Sequence, residues 1–371
     1  MRVLITGADG FIGKNLQLRL RERKDVEVLT YNRADNLADL PKALDGINVL
    51  FHLAGVNRPN DPREFVAGNA ELTQVLSDMV RNSGQSMRVI LTSSTQARLE
   101  NPYGLSKRQA EQALKSLAGV NGTSVHLFRL PNVFGKWGRP NYNSAVATFC
   151  HNIARDLPVQ INDPNANMML VYIDDVLDRF IDLMDGADSA FDADGFESIT
   201  PLYTLTVGEL VRQITAFRDN RESLVIDRVG VGLVRALYAT YVSYLPLERF
   251  SYEVPQYADF RGVFVEMLKT PDCGQFSFFT AHPGITRGGH YHHTKTEKFL
   301  VIKGHARFRF RHMQTGQAHE LVTTGAKPEI VETVPGWTHD ITNTGSDEMV
   351  VMLWANEIFD RARPDNYACP V

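Results

Sequence analysis

The stretch RVLITGADGFIGKNLQLRL at residues 2–20 decides the first part of the fold. It opens with a run rich in apolar and β-branched residues, as a buried parallel strand requires, and continues with helical apolar spacing. Three glycines with GxxGxxG spacing lie between them, where they let a pyrophosphate approach the helix N-terminus. A tight glycine turn without a ligand is the alternative. The candidate cofactor contacts are Gly7, Gly10, Phe11, Ile12 and Gly13.

The alternation of strands and helices continues over the first 180 residues. Further strand-like runs lie at 26–31, 47–55, 87–94 and 123–131, with helical patterns at 37–46, 62–84 and 102–119. Short connections that contain glycine and asparagine join these segments, which is typical of parallel βαβ units. The sequence therefore predicts a doubly wound α/β fold.

The pattern changes after about residue 250. Short alternating apolar runs, from FRGVFVEMLKT (260–270) to MVVMLWA (349–355), are separated by turns rich in Gly, Pro, Asn and Thr. Many short strands of this kind favour an antiparallel sandwich or barrel. Two prolines interrupt the helical pattern within YLPLERFSYEVPQY at 244–257. Because 371 residues are long for a single core, we predict two domains, at 1–243 and 250–371.

Composition and charge exclude several classes of protein. The chain is 43% hydrophobic and 22% charged, with a net charge of -4, so we predict no nucleic-acid partner. The most apolar helical stretch, at 233–245, is too short to span a membrane. Cys150, Cys273 and Cys369 are scattered, and a strand begins at residue 2, which leaves no room for a signal peptide. These features predict a cytoplasmic protein.

The segment TSSTQARLENPYGLSK at 92–107 adds acid–base chemistry. Tyr103 and Lys107 are four residues apart at the start of a predicted helix, so they share a face. The ammonium group is expected to lower the pKa of the phenol and let it transfer protons near neutral pH. Ser94, at the end of the preceding strand, offers a hydroxyl that can orient a carbonyl or alkoxide. We predict that Ser94, Tyr103 and Lys107 are catalytic.

The end of the second predicted strand bears on the choice of cofactor. Its sequence is VLTYNRAD at 28–35. An acidic residue at the strand tip would bind the 2′-hydroxyl of NAD, whereas Arg33 would suit the 2′-phosphate of NADP. A solvated surface arginine is the alternative. We predict NADPH as the cofactor and Arg33 as one of its contacts.

Two motif halves near the C-terminus predict a metal site. GITRGGHYHHTKTEKFLVIKG at 284–304 fits G(x)5HxH(x)4E(x)6G, and PGWTHDITN at 335–343 fits PGxxHxxxN; together they resemble the cupin barrel. Positions i and i+2 of a strand share a face, which excludes His293 from the ligand set. This ligand chemistry suits Zn, Mn, Fe or Ni, of which we predict Zn. The candidate ligands are His290, His292, Glu297 and His339.

Two other interpretations of this motif remain open. The histidines and the glutamate could be polar surface residues of a β domain. Alternatively, the barrel could hold a metal and contribute only to dimerisation or to shielding of the site, because a fold does not imply a function.

The first 240 residues resemble the extended short-chain dehydrogenases/reductases that act on nucleotide sugars. The motifs that carry the resemblance are TGxxGxxG, HLAG at 52–55, the strand-end Ser94, YxxxK, RLPNVFG at 129–135 and VYIDDV at 171–176. The resemblance implies that Leu53, Ala54 and Gly55 line the cofactor and that Asn132 contacts the sugar or its diphosphate, alongside Ser94.

The same resemblance assigns roles to the catalytic residues. Tyr103 would be the proton donor or acceptor, and Lys107 would bind the nicotinamide ribose. The dehydratases of this family carry an Asp-Glu pair directly after the strand-end hydroxyl, where this chain has Thr95 and Gln96. Elimination is therefore disfavoured, and reduction or epimerisation remains.

The combination of both halves resembles the CapF/WbjC-type bifunctional enzymes of UDP-N-acetyl-L-fucosamine synthesis, which serve bacterial capsule and O-antigen formation. That resemblance implies C3 epimerisation of a UDP-2-acetamido-2,6-dideoxy-4-hexulose in the cupin, followed by NADPH-dependent C4 reduction to UDP-N-acetyl-6-deoxy-L-talosamine. It also implies a homodimer. Lys298, Tyr291 and His293 are neighbouring candidates for the C3 base.

Two other functions compete with this interpretation. One is an NADPH-dependent reductase whose cupin is only a dimerisation module. The other is a nucleotide-sensing regulator with a degenerate site, which the intact Ser94, Tyr103 and Lys107 argue against.

Overall fold

The computed structural model describes residues 1–254, 256–259, 262–265, 268, 274–357 and 362–371. The chain forms two compact units. Unit one comprises Met1–Ser144 and Met168–Thr204, and unit two comprises Ala145–Asn167 and Leu205–Val371. The predicted limits 1–243 and 250–371 differ from these units because they assign 145–167 and 205–243 to the first domain. Whether the segments 1–243 and 250–371 fold independently of each other stays a prediction.

The described part of the chain contains the predicted helices and three more that were not predicted from the sequence. They are α1 (Phe11–Arg21), α2 (Leu40–Leu44), α3 (Arg63–Phe65), α4 (Leu72–Ser83), α5 (Pro102–Lys115), α6 (Ala145–Ile153), α7 (Ile173–Met184), α8 (Val207–Ser223) and α9 (Gly232–Ser243). The three additional helices are α6, α7 and α8. A π-helical turn, Val66–Glu71, joins α3 to α4. None of the helices within the described residues is long and apolar enough to cross a membrane.

Unit one is built on a parallel five-stranded sheet with the order β2–β1–β3–β4–β5. Its strands are β1 (Arg2–Thr6), β2 (Glu27–Tyr31), β3 (Val49–His52), β4 (Arg88–Ser94) and β5 (Ser124–Leu130). The strands β2 and β3 lie on opposite sides of β1, so the strand order reverses there. In open α/β sheets ligands bind at this switch point, beyond the carboxyl ends of the strands.

The central strands of this sheet are buried on both faces. On one face, Leu4, Leu50, Val89, Leu91 and Leu127 belong to one hydrophobic core and are at most 4% exposed. The alternating residues Ile5, Phe51, Ile90 and Phe128 are buried as well. A short strand β6 (Asn132–Phe134) pairs in parallel with β7 (Asn167–Tyr172), and β8 is Tyr203–Thr206.

The β domain, residues 251–371 of unit two, contains two antiparallel five-stranded sheets and a hairpin. Its strands are β9 (Ser251–Glu253), β10 (Gln256–Asp259), β11 (Gly262–Val265), β12 (Gln275–Ala281), β13 (Thr286–Tyr291), β14 (Glu297–Lys303), β15 (His305–His312), β16 (Ala318–Thr324), β17 (Glu329–Glu332), β18 (Trp337–Asn343), β19 (Met349–Ala355) and β20 (Tyr367–Ala368). The sheet orders are β12–β19–β14–β17–β9 and β16–β15–β18–β13–β20, with β10–β11 as the hairpin.

Buried charges join helices of unit two to the β domain. The carboxylate of Glu332 on β17 accepts hydrogen bonds from the ammonium of Lys298 and from the hydroxyl of Tyr238 on α9, the latter at 3.4 Å. Arg221 on α8 approaches the same carboxylate at 3.2 Å. A buried carboxylate needs such partners, so the helices α8 and α9 contribute to the stability of the sheet that carries Lys298.

Both parts of the predicted fold class are confirmed, the doubly wound parallel sheet and the antiparallel C-terminal domain. Of the predicted strand run at 260–270, the structure describes 262–265 and 268, and the remainder lies outside the described residues.

Candidate active site and metal centre

The glycine turn after β1 forms a cradle that side chains cannot enter. Gly7 has a φ of 68°, and a Cβ there would lie 2.7 Å from Ala54 Cα. A Cβ at Gly13 would lie 2.5 Å from the Gly7 carbonyl oxygen, which accepts the Gly10 N–H at 2.9 Å. Phe11 begins α1, so its first turn presents main-chain amides at this edge of the sheet. The geometry fits a bound pyrophosphate.

The turn at 53–55 closes the other side of the cradle. The Leu53 N–H donates to the Thr6 carbonyl at 3.1 Å, which extends the pairing of β1 and β3. A Cβ at Gly55 would lie 2.9 Å from Asn69 Oδ1 and 3.7 Å from Lys107 Nζ. The predicted cofactor residues of this turn therefore lie between the glycine cradle and the predicted catalytic lysine.

A buried histidine supports the base of the cradle. His52 Nδ1 lies 2.7 Å from Thr6 Oγ1, and His52 Nε2 lies 2.8 Å from Thr73 Oγ1. Burial lowers the pKa of His52 to about 3, with a smaller effect from Lys107. His52 is therefore neutral and has a structural role beneath the cofactor turn.

The sequence places Tyr103 and Lys107 through the start of α5. Asn101 caps the helix by accepting the Gly104 N–H at 2.7 Å, and Pro102 occupies the first turn. A Cβ at Gly104 would lie 2.4 Å from the Gln96 carbonyl oxygen, so only glycine lets α5 lie this close to the turn after β4. As a result, Tyr103 lies close enough to Ser94 for the two side chains to interact.

Burial shapes the acid–base properties of the pair. Burial raises the pKa of Tyr103, while the interaction with Ser94 acts in the opposite direction. The predicted lowering of the Tyr103 pKa by Lys107 is not found, because Lys107 Nζ donates instead to the Thr92 carbonyl at 2.7 Å. Burial also lowers the pKa of Lys107 to about 8, opposed by Glu111. A phenol that keeps its proton at neutral pH suits a proton donor.

Glu111 is itself fixed by strong hydrogen bonds. Arg129 donates to both of its oxygens, at 2.9 and 2.7 Å, and Ser93 Oγ donates at 2.5 Å. The carboxylate is thus held one helical turn beyond Lys107 and compensates part of the cost of burying the ammonium group.

Two further predicted contacts lie at the surface of unit one. The side chain of Arg33 is 89% exposed at the end of β2, 3.6 Å from Glu64. Asn132, at the start of β6, is exposed and donates to the Met169 carbonyl at 3.2 Å. The structure leaves both side chains accessible to a ligand without bringing either into contact with Tyr103.

The predicted metal ligands converge in the β domain. One donor atom from each of His290, His292, Glu297 and His339 lies within 4.8 Å of the other three. His290 pairs with His339 across β13 and β18, after a bulge at Gly288 and Gly289, whose φ values are 98° and 75°. The glycines let the strand bend just before the first ligand.

Several features of this set fit a cation. The two ring nitrogens of His339 are buried and have no hydrogen-bond partner among the described residues, although Nε2 lies 3.6 Å from Glu297 Oε2. His292 Nδ1 lies 2.5 Å from the Asp365 carbonyl oxygen, and a carbonyl can only accept. His292 Nε2 then faces Glu297 Oε2 at 3.0 Å, an arrangement that a shared cation would stabilise.

The electrostatics agree with a site that holds a cation. Burial lowers the pKa of His290 to about 3, helped by the neighbouring His339 and His292. Burial alone would raise the pKa of Glu297, but the contacts with His292, His339 and Lys295 hold it well below its usual value. Neutral imidazoles and an ionised carboxylate are the forms that bind a divalent metal.

The three candidate C3 bases differ in their surroundings. Lys298 follows the ligand Glu297 on β14 and therefore points to the opposite face, where it pairs with Glu332. Burial lowers the pKa of Lys298, but the Glu332 carboxylate raises it above its usual value. His293 and Tyr291 both contact the ring of Tyr367, at 4.9 and 5.5 Å between centroids. Of the three candidates, Lys298 is thus held as a cation away from the ligand cluster.

Comparison with protein families agrees with both halves. Residues 3–192 match the NAD dependent epimerase/dehydratase family, and residues 257–367 match the polysaccharide biosynthesis C-terminal domain. The first match covers more than half of the 371 residues. The chain belongs to the NAD dependent epimerase/dehydratase family.

Two relatives match this chain over its full length and therefore contain both regions. The chain is 59% identical over 371 residues to the UDP-2-acetamido-2,6-β-L-arabino-hexul-4-ose reductase of Pseudomonas aeruginosa, covering 100% of this chain and 99% of the relative. The crystal structure of the capsular polysaccharide assembling protein CapF from Staphylococcus aureus matches with 40% identity and a TM-score of 0.69, and both chains are covered completely. The predicted resemblance to the CapF/WbjC type is confirmed.

A more distant structure shares only the fold of the first half. The UDP-glucuronic acid 4-epimerase from Bacillus cereus is 18% identical, with a TM-score of 0.50, and covers 58% of this chain and 83% of its own. This similarity agrees with the family assignment of residues 3–192.

Three residues of these two sites were not predicted from the sequence, namely Asn69, Lys295 and Asp365. Asn69, in the π-helical turn, donates to the Val56 carbonyl at 2.9 Å and to Ser106 Oγ at 3.0 Å. Lys295 is buried with Nζ 3.6 Å from Glu297 Oε1. A polar residue inside the apolar pattern of 62–84 was the available signal for Asn69, whereas the role of Asp365 depends on a contact 73 residues along the chain.

Proposed function

We propose that the chain is a bifunctional nucleotide-sugar enzyme that inverts C3 of a UDP-2-acetamido-2,6-dideoxy-4-hexulose and reduces its C4 ketone with NADPH. The product is UDP-N-acetyl-6-deoxy-L-talosamine, a precursor for capsule or O-antigen. The observation that carries this proposal is the presence of two separately built sites in a chain whose 59% identical relative is named a UDP-hexulose reductase.

Reduction is assigned to Ser94, Tyr103 and Lys107. NADPH, when bound along Gly7, Gly10 and the 53–55 turn, supplies the hydride that adds to C4. Tyr103 gives its hydroxyl proton to the C4 oxygen, so the ketone becomes an alcohol, and the phenolate takes a proton from solvent. Ser94 orients the reacting oxygen, and the Lys107 ammonium stabilises negative charge on the phenolate.

The preference for NADPH is supported by the end of β2. Arg33 is exposed there, and its only described acidic partner, Glu64, lies at 3.6 Å. A 2′-phosphate can replace such a loose ion pair with charge-assisted hydrogen bonds.

Epimerisation is assigned to the β domain. His290, His292, Glu297 and His339 would hold a divalent cation, which would supply a Lewis acid that stabilises negative charge on the C4 oxygen and so makes the neighbouring C3 proton acidic. Zinc suits a set of three imidazoles and one carboxylate. The CapF relative has a structure with the inhibitor 3-isopropenyl-tropolone, and tropolones chelate divalent metals through adjacent oxygens, which supports a metal-dependent step.

The surface of the β domain also supports a homodimer, the role that the alternative function gives to this domain. The strand β12 is at the edge of its sheet in the described part of the chain, and Phe278 on it is 71% exposed. Light scattering should give a dimer for the wild-type chain and a monomer for Phe278→Asp. A cytoplasmic location stays a prediction from the sequence.

The decisive experiment follows C3 and C4 separately in full-length protein. The 4-keto substrate is incubated in D₂O without NADPH, and deuterium at C3 is measured by NMR. Wild-type protein and Tyr103→Phe should incorporate deuterium, whereas His290→Ala/His339→Ala should not. If the double variant exchanges C3 at the wild-type rate, the β domain does not carry epimerisation, and the reductase with a structural β domain replaces our proposal.

A further inference from the structure

The last described segment, residues 362–371, runs beside β13, the strand that carries the first metal ligand, and we call it the C-terminal strap. Its strand β20 pairs with β13, with Ala368 opposite His290 and Tyr367 opposite Tyr291. The Cys369 N–H donates to the Gly289 carbonyl at 2.8 Å. The strap therefore adds an outer strand directly beside the first metal ligand.

The strap also determines the tautomer of the second ligand. The Asp365 carbonyl oxygen lies 2.5 Å from His292 Nδ1, and because it can only accept, Nδ1 carries the hydrogen. The lone pair of neutral His292 is then on Nε2, the nitrogen that faces Glu297. A second hydrogen bond of this kind orients a ligand ring and raises its basicity.

The Asp365 carboxylate holds the turn between the second and third ligands. Oδ1 accepts the His293 N–H at 2.9 Å, and Oδ2 accepts the N–H groups of Thr294 and Lys295, both at 2.7 Å. Oδ2 also accepts the Thr294 hydroxyl at 3.0 Å. Four hydrogen bonds to one ionised group fix the chain between His292 and Glu297, and hydrogen bonds to a carboxylate are stronger than neutral ones.

We propose that Asp365 is a positioning residue for the metal, which aligns His292 through its carbonyl oxygen and the 293–295 turn through its carboxylate. Asp365 does not bind the metal itself, and the strap makes the site depend on the C-terminus of the chain. This inference rests on the proposed metal centre, and the experiment separates the two.

The test is a titration of metal-free, full-length protein with Co²⁺ alone, followed by visible absorption. Asp365→Asn keeps the size of the side chain but directs an NH₂ group or a neutral oxygen at three N–H donors. We expect its dissociation constant for Co²⁺ to rise about 10–100-fold, with a changed d–d spectrum. The control is Asp347→Asn, because Asp347 is an exposed carboxylate of the same domain. It should match wild type.

The outcomes distinguish the two proposals. Wild-type affinity and an unchanged spectrum in Asp365→Asn would overturn the positioning role and leave the metal centre intact. Absence of Co²⁺ binding by wild-type protein would overturn both.

A second measurement needs no variant and covers the case in which Asp365→Asn fails to fold. If the strap aligns the metal ligands, metal binding must in turn stabilise the strap, because coupling between two binding events is reciprocal. Cys369 lies on the strap and is partly exposed. Its alkylation by iodoacetamide, followed by peptide mass spectrometry, should be several-fold faster in metal-free than in Co²⁺-loaded wild-type protein. Equal rates in the two states would overturn the proposal.

Discussion

The reductase site and the metal site are assembled in different ways. Tyr103 and Lys107 are four residues apart on one helix, and Ser94 precedes that helix by a short turn. The metal ligands come from β13, the residue that follows it, β14 and β18, which belong to two different sheets, and His292 depends on a carbonyl oxygen 73 residues away. A site built from neighbouring residues tolerates rearrangement elsewhere, whereas a site built from two sheets depends on the pairing of every strand that carries a ligand.

Two buried lysines, one in each region, differ in the direction of their pKa shifts. Burial lowers the pKa of Lys107 to about 8, because Glu111 compensates only in part. Lys298 is equally buried, yet its pKa is raised, because Glu332 lies in direct contact and Tyr252 is 3.0 Å away. A close carboxylate thus turns a lysine into a permanent structural cation, and its absence leaves the ammonium of Lys107 able to change charge near neutral pH.

The largest effect that separates the two sites is expected from Tyr103→Phe. Loss of the proton donor should slow C4 reduction about 10²–10⁴-fold, measured as NADPH oxidation with the 4-keto substrate. NADPH binding and C3 exchange should remain, because the ring and the metal ligands are unchanged. Reduction at a rate near wild type would exclude Tyr103 as the donor.

The converse change is His290→Ala/His339→Ala. Elemental analysis should show about one divalent metal per wild-type chain and none in the double variant, since two of four ligands are lost. Without the Lewis acid, C3 exchange should fall about 10²–10³-fold. Reduction of a substrate already inverted at C3 should continue, and metal retained by the variant would place the site elsewhere.

A smaller effect is expected from pH. The pKa of Lys107 is lowered to about 8, so the ammonium is present below that pH and is lost above it. Reduction should therefore decrease about tenfold per unit above pH 8 as stabilisation of the phenolate disappears. Lys107→Arg keeps the charge and should move this decrease to higher pH. A C3 exchange rate that follows the same profile would argue against independent sites.

The sequence predicted the parts of both sites that depend on local spacing. GxxGxxG and YxxxK define their geometry within a strand–turn–helix unit and the start of a helix, and HxH(x)4E spans the connection from β13 to β14. The structure brings the residues of each motif together. Asn69 and Asp365 were not predicted, because a π-helical turn and a pairing between distant strands leave no periodic signal. The predicted lowering of the Tyr103 pKa was wrong for a related reason. The shift depends on burial by the folded chain and on the hydrogen bond that Lys107 donates to Thr92.

The smallest expected effect concerns Arg33, which tests whether cofactor choice is as local as the catalytic residues. Arg33→Ala should weaken NADPH binding about tenfold while leaving NADH binding unchanged, because only NADPH carries the 2′-phosphate. The side chain is 89% exposed and already near Glu64, so screening by water keeps the effect small. Glu64→Gln removes that competitor and should strengthen NADPH binding slightly. Fluorescence titration with both cofactors measures each change, and equal losses for NADPH and NADH would show that Arg33 does not recognise the phosphate.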